Sequence, residues 1–64
     1  MIYEYIVTYE DLDNHYLSDR MAETLDEAKH IREFMERMNK MRTEHGKHPH
    51  YQNIRIYKMV EVED

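Results

Sequence analysis

The sequence predicts an α+β domain of order β-β-α-β, a three-stranded antiparallel or mixed sheet in strand order 2-1-3 with one long helix packed on one face. Three observations carry this expectation. Residues 2–9 (IYEYIVTY) are β-branched or aromatic at seven of eight positions, the composition of a strand. From residue 24 onward apolar side chains recur at helical spacing. Residues 54–62 return to a strand-like pattern, with Ile54, Ile56, Val60 and Val62 alternating against more polar neighbours.

The first strand alternates Tyr3, Tyr5, Val7 and Tyr9 on one face with Ile2, Glu4, Ile6 and Thr8 on the other. Both faces are largely apolar, as in a strand at the middle of a sheet. Residues 10–14 (EDLDN) favour a turn, because short acidic and amide side chains bond nearby backbone N–H groups. Residues 15–22 then return as a weaker strand, placed at the edge. Asp19 and Arg20 there discourage unwanted edge pairing.

Thr24 and Glu27 have capping-box spacing: the hydroxyl accepts from the Glu27 N–H while the Glu27 carboxylate reaches back to the Thr24 N–H. The apolar stripe of the helix is Leu25, Ala28, Ile31, Phe34, Met35, Met38 and Met41. Glu33 with Arg37 and Glu36 with Lys40 have the favoured ion-pair order on the opposite face, and His30 is placed to pair with Asp26. Gly46 is the natural residue past the helix end, and Pro49 prevents its resumption. Residues 45–53 (HGKHPHYQN) are expected to form a loop. A right-handed crossover brings the last strand beside the first, and Glu63 and Asp64 are expected to end the chain in solvent.

Sixty-four residues allow one domain, residues 1–64. With no Cys there is neither a disulfide framework nor a cysteine metal site. No apolar run is long enough for a membrane span, and no basic-then-apolar leader is visible, so a cytosolic protein is expected. The formal net charge of −5 argues against direct nucleic-acid binding. The charge is uneven. Residues 1–27 carry eight acids and one base, a balance of −7, and residues 28–60 carry three acids and eight bases, +5. Such asymmetry steers encounters with a charged partner.

No catalytic constellation is present. Ser18 is the single serine and Gly46 the single glycine, so neither a nucleophile with its base nor a glycine-rich phosphate loop can be assembled. A non-enzymatic protein without a cofactor is the expectation. His45, His48 and His50 lie within six residues and are the metal-ligand candidates. A solvated loop is the favoured account of them, because Glu44 is the one acid nearby and no zinc-type spacing occurs.

One helix covers one face of three strands, so large side chains remain on the other. If Ile2, Ile6, Ile54, Ile56 and Val60 face the helix, then Tyr3, Tyr5, Tyr9, Tyr57 and Met59 face outward. In the reverse arrangement the isoleucines do. Either patch invites a partner, whether a second copy or another protein, although tyrosines on an open sheet are also ordinary surface residues. The candidate contact residues are therefore Tyr3, Tyr5, Tyr9, Tyr57 and Met59 for an apolar surface, and Glu10, Asp11 and Asp13 for an acidic one.

The Tyr-rich opening strand (residues 3–11, YEYIVTYED), the short acidic turn, the helix opening at residues 24–28 (TLDEA) and the closing strand at residues 53–58 (NIRIYK) together resemble small bacteriophage and prophage proteins of the host-inhibitor, anti-defence type. The longer histidine-rich loop departs from that pattern. The resemblance implies a compact non-enzymatic protein that inhibits or redirects a host protein in the host cytoplasm, and it assigns no site residues. Two other readings are a homo-oligomer that sequesters an anionic nucleotide through basic groups such as Arg42, Lys47, His48 and Arg55, and a purely structural or regulatory homodimer.

Overall fold

A computed structural model of the chain describes residues 3–62. It contains β1 (Tyr5–Asp11), β2 (Tyr16–Ala22), α1 (Leu25–Glu44) and β3 (Tyr51–Lys58). The sheet order is β2-β1-β3, and β1 is antiparallel to both neighbours. This is the expected β-β-α-β fold. The expected placements of Ile2, Glu63 and Asp64 lie outside the described residues.

The strand limits shift, each for a local reason. β1 runs two residues further than its apolar pattern, to Asp11. The turn is residues 12–15, and His15 closes it at φ 56°, a left-handed conformation that His tolerates better than most residues. The Asp11 carboxylate organises this turn, its Oδ1 accepting from the backbone N–H groups of Asp13 and Asn14 at 3.0 and 3.1 Å.

β3 begins at Tyr51, three residues before the expected start, and ends at Lys58 rather than at residue 62. Asn39 of α1 sets the beginning. Its Oδ1 accepts from the N–H groups of His50 and Tyr51 at 3.0 and 2.9 Å, and its Nδ2 donates to the Tyr51 carbonyl at 2.8 Å. The pairing register then skips a residue. Thr8 opposes Arg55 and Glu10 opposes Gln52, so Tyr9 faces both Asn53 and Ile54. Asn53, at φ 53°, is the extra residue of a bulge. It lets Tyr51, Ile54 and Ile56 all pack against the core although strict alternation separates position 51 from 54 and 56.

At the start of α1, Thr24 accepts from the Glu27 N–H at 3.1 Å as expected. The return bond differs: the Glu27 carboxylate accepts from the Glu23 N–H at 3.0 Å rather than from Thr24. At the other end the Gly46 N–H donates to the Thr43 carbonyl and the Lys47 N–H to the Arg42 carbonyl, the paired closure of a Schellman motif. Gly46 has the left-handed φ of 73° this requires. The helix-surface pairing is not the expected one. Among the described residues Arg32 meets Glu36 at 3.7 Å, and neither Glu33–Arg37, Glu36–Lys40 nor Asp26–His30 forms an ion pair; exposed pairs of this kind contribute little.

The core is small. Val7, Ala22, Ala28 and Met35 are fully buried, with Tyr5, Tyr9, Ile31, Tyr51, Ile54 and Ile56 packed around them. Ala22 and Ala28 present only methyl groups where helix meets sheet, so the two can approach closely there. The long Met35 fills the space beyond. The helix stripe is wider than its contact with the sheet, and Leu25, Phe34 and Met41 of that stripe remain exposed. No helix among the described residues is long and apolar enough to cross a membrane.

Candidate functional site

Two groups of side chains stand out: the uncovered face of the sheet, and a cluster where the β1–β2 turn meets the end of the helix.

Pairing decides which side chains share the uncovered face. Val7 is fully buried under the helix and pairs with Ile56, so Tyr5, Val7, Tyr9 and Ile56 all face α1. Neither outward set expected from alternation is realised. Tyr5 and Tyr9 are tucked beneath the helix, where Tyr9 meets Tyr51 edge-on at 5.3 Å between ring centroids. Tyr57 points to the opposite side and is exposed. Tyr3 is exposed ahead of β1, and Met59 is half-buried just after β3, its N–H bonded to the Glu4 carbonyl at 2.8 Å.

Residues paired across three strands form straight rows on the uncovered face. The first is Met21–Ile6–Tyr57, the second Asp19–Thr8–Arg55, the third Leu17–Glu10–Gln52. The first row is wholly apolar at its ends and centre, and the second carries opposite charges at its two edges. A shallow trough on this face is lined by Thr8, Leu17, Asp19, Arg55 and Tyr57 among others. In the third row the Gln52 side-chain amide donates to the Glu10 carboxylate. That bond, with help from the Asn53 side chain, holds the Glu10 carboxyl below the usual range.

At the turn, Asp11 is buried and Asp13 lies beside the helix end. The Asn14 amide donates to Asp11 Oδ2 at 3.1 Å, and this contact above all lowers the Asp11 pKa, with the Asn14 and Asp13 backbone N–H groups adding to it. Arg42 Nη1 donates to Asp13 Oδ2 at 2.6 Å, the main reason the Asp13 carboxyl also titrates below its ordinary value. His50 Nδ1 stands 2.7 Å from the same Arg42 nitrogen and 2.8 Å from Asp13 Oδ2. This nitrogen accepts from Arg42 in the tautomer that leaves it without a proton and donates to Asp13 when it carries one. His50 Nε2 is 3.6 Å from Asp11, and His48 Nε2 is 3.7 Å from Asp13. The Leu12 N–H donates to the His50 carbonyl at 2.8 Å, fastening the turn to the segment before β3.

Asp11, Asp13 and His50 bring ligand-type atoms within 4.8 Å of one another, a grouping that chain spacing alone conceals. Of the three loop histidines, His48 and His50 approach acids, and His45 is not in the group. The chemistry of the donor set favours a structural lock over a metal centre. Asp11 Oδ1 already accepts two backbone bonds, and the Arg42 guanidinium supplies the cation that Asp13 would otherwise seek. Arg42 Nε is buried without a hydrogen-bond partner, a local cost of holding the guanidinium in place.

The acids expected to form an acidic contact surface are thus divided. Asp11 and Asp13 face inward to the lock, while Glu10 lies on the uncovered sheet face. Sequence reasoning missed Asn39 as a structural clip. A signal was there: Asn39 falls four residues after Met35, on the helical stripe where an apolar residue is expected. It missed Ile6, Leu17 and Met21 as companions of Tyr57, because strand pairing rather than alternation within one strand assembles them. Comparison with protein-family models, curated proteins and solved structures finds no match to this chain.

Proposed function

We propose that this protein is a small non-enzymatic binding module of the host-inhibitor type, acting by burying the uncovered face of its sheet against another protein. The observation that carries the reading is the Met21–Ile6–Tyr57 row, laid across three strands on the side away from α1, with no layer above it among the described residues. Leu17, Met21 and Tyr57 on that face are exposed at 77, 44 and 47%. Apolar side chains gathered in one patch and rimmed by charge are the usual make-up of a contact surface. In support, the grouping with the most chemical potential among the described residues, Asp11, Asp13, His50 and Arg42, is spent tying the hairpin to the helix. The alternative in which basic groups collect an anionic nucleotide is less favoured, since Arg42 is already engaged by Asp13.

Of the candidate contact residues, Tyr57 and Glu10 lie on this surface, while Tyr3 and Met59 sit beyond the strand ends. Tyr5 and Tyr9 contribute by supporting it from beneath. Capture from a bacterial lysate at near-physiological salt tests the reading. A partner held by the wild type and by Met41→Asp, off the face, but lost from Leu17→Asp and Tyr57→Asp is the expected result. Equal retention by all four proteins would refute it.

A further inference from the structure

We infer that the uncovered face is completed by a second copy of the same chain, packed sheet to sheet about a two-fold axis that runs parallel to β1. This rests on the preceding reading that the face is a contact surface, and it names the occupant in the free protein, a second copy that a host protein displaces to reach the same face.

The exposed area of the chain points to a second copy. An 8.0 kDa chain that folds as a monomer is expected to expose about 4450 Å² on the usual size scaling. This chain exposes 5173 Å². The surplus is roughly 700 Å², part of it at the chain end where Val60 and Val62 are exposed, against the ~800 Å² that each partner buries in a standard interface. It accompanies a core of four buried hydrophobic residues among the described ones, two of them alanine. A chain this small commonly gains stability by association.

The charges on the face select the axis. A two-fold axis along β1 keeps each row opposite the same row while exchanging its two edges. Met21 then faces Tyr57 of the second copy, and Ile6 faces Ile6. In the next row Asp19 faces Arg55 of the second copy, and Arg55 faces Asp19. The complementary contact is therefore made twice. An axis across the strands would instead place Asp19 on Asp19 and Arg55 on Arg55, and would set the apolar row against Leu17–Glu10–Gln52. Like charges in register disfavour that arrangement. Among the described residues neither Asp19 nor Arg55 is held in an ion pair of its own chain, although Arg55 has the Tyr57 hydroxyl and the Glu10 carboxylate of its own chain as neighbours. A short Asp opposite a long Arg also suits two sheets ~10 Å apart. Glu10 comes near its own copy at the end of the face. Its bond to Gln52 draws the carboxylate toward the β3 edge and off the midline.

The register makes the test specific. Asp19→Arg and Arg55→Asp each put like charges at both symmetric positions, and each should weaken dimerisation at least about tenfold. Mixed together, the two variants place opposite charges at both positions and should form a heterodimer near wild-type strength. Sedimentation velocity of the full chain up to about 100 μM reads all three cases. Circular dichroism checks that each variant is folded, and the recovery on mixing is itself evidence of folding. Wild-type dimer, weakened single variants and a restored mixture are the expected outcome. Two weakened variants that fail to restore each other overturn the axis and with it the inference. A monomeric wild type overturns the inference alone, and the binding reading survives if Tyr57→Asp still abolishes capture of a different protein. A dimer indifferent to both charge variants and to Tyr57→Asp overturns the inference and, with unchanged capture, the reading beneath it.

Discussion

Asn39→Ala should be among the most damaging substitutions of a polar residue in this chain, out of proportion to its size. The Asn39 side chain makes three bonds to the start of β3: two accepted from the His50 and Tyr51 N–H groups and one donated to the Tyr51 carbonyl. At a net ~0.5–1.5 kcal/mol each, their removal should cost roughly 2–4 kcal/mol. A domain of this length is stable by about 3–10 kcal/mol, so the loss is a large part of the whole. Urea unfolding followed by circular dichroism, at one fixed protein concentration because association shifts apparent stability, should show a lower midpoint with little change in slope. Hydrogen exchange should speed up at the His50 and Tyr51 amides first. Asn39→Asp keeps both acceptor bonds and loses the donor, so it should fall between wild type and Asn39→Ala. A cost below about 0.5 kcal/mol for Asn39→Ala, or an alanine variant no less stable than the aspartate one, would refute the idea that the helix clips the strand.

Other expectations follow from the same contacts. Met35, at 1% exposure, is the largest side chain of the core, so Met35→Ala should cost about 2–5 kcal/mol and leave little cooperative unfolding in a thermal melt. Asp11 and Asp13 titrate below their ordinary value of 3.8. A depressed carboxyl contributes stability that is present above the unfolded value and lost as pH falls through the folded one. The melting temperature should therefore drop on acidification below about pH 4, and Asp13→Asn should flatten that drop; an unchanged acid limb would show that the lock carries no linkage. Gly46→Ala meets no atom within 4 Å but must adopt φ 73°, so a loss of about 1 kcal/mol from backbone strain alone is expected, measured by the same urea titration.

Much of this architecture is written in local pattern. Seven strand-forming residues in eight predict β1 without reference to anything else, because β-branched and aromatic side chains suit a pleated surface. The Thr24 cap and the Gly46 terminus mark the ends of α1 because the unpaired N–H and C=O groups there need partners within a few residues. The strand order follows from chain connectivity and handedness.

What local pattern could not decide is where residues far apart in the chain meet. Val7 opposite Ile56 turns Tyr5 and Tyr9 under the helix, and that choice depends on pairing between positions 49 residues apart. The bulge at Asn53 moves Tyr51 onto the core side, an irregularity that no alternation within β3 reveals. Asp11 ends β1, Asp13 lies in the turn, Arg42 in the helix and His50 in the final loop, and only the closing of the hairpin over the helix end turns Asp11 inward and ties the exposed Asp13 to Arg42. Short-range chemistry thus determined which segments are strand or helix, since each residue's preference acts on its own backbone. The tertiary structure alone decided which faces are covered, because burial is shared among segments and is settled only when they pack together.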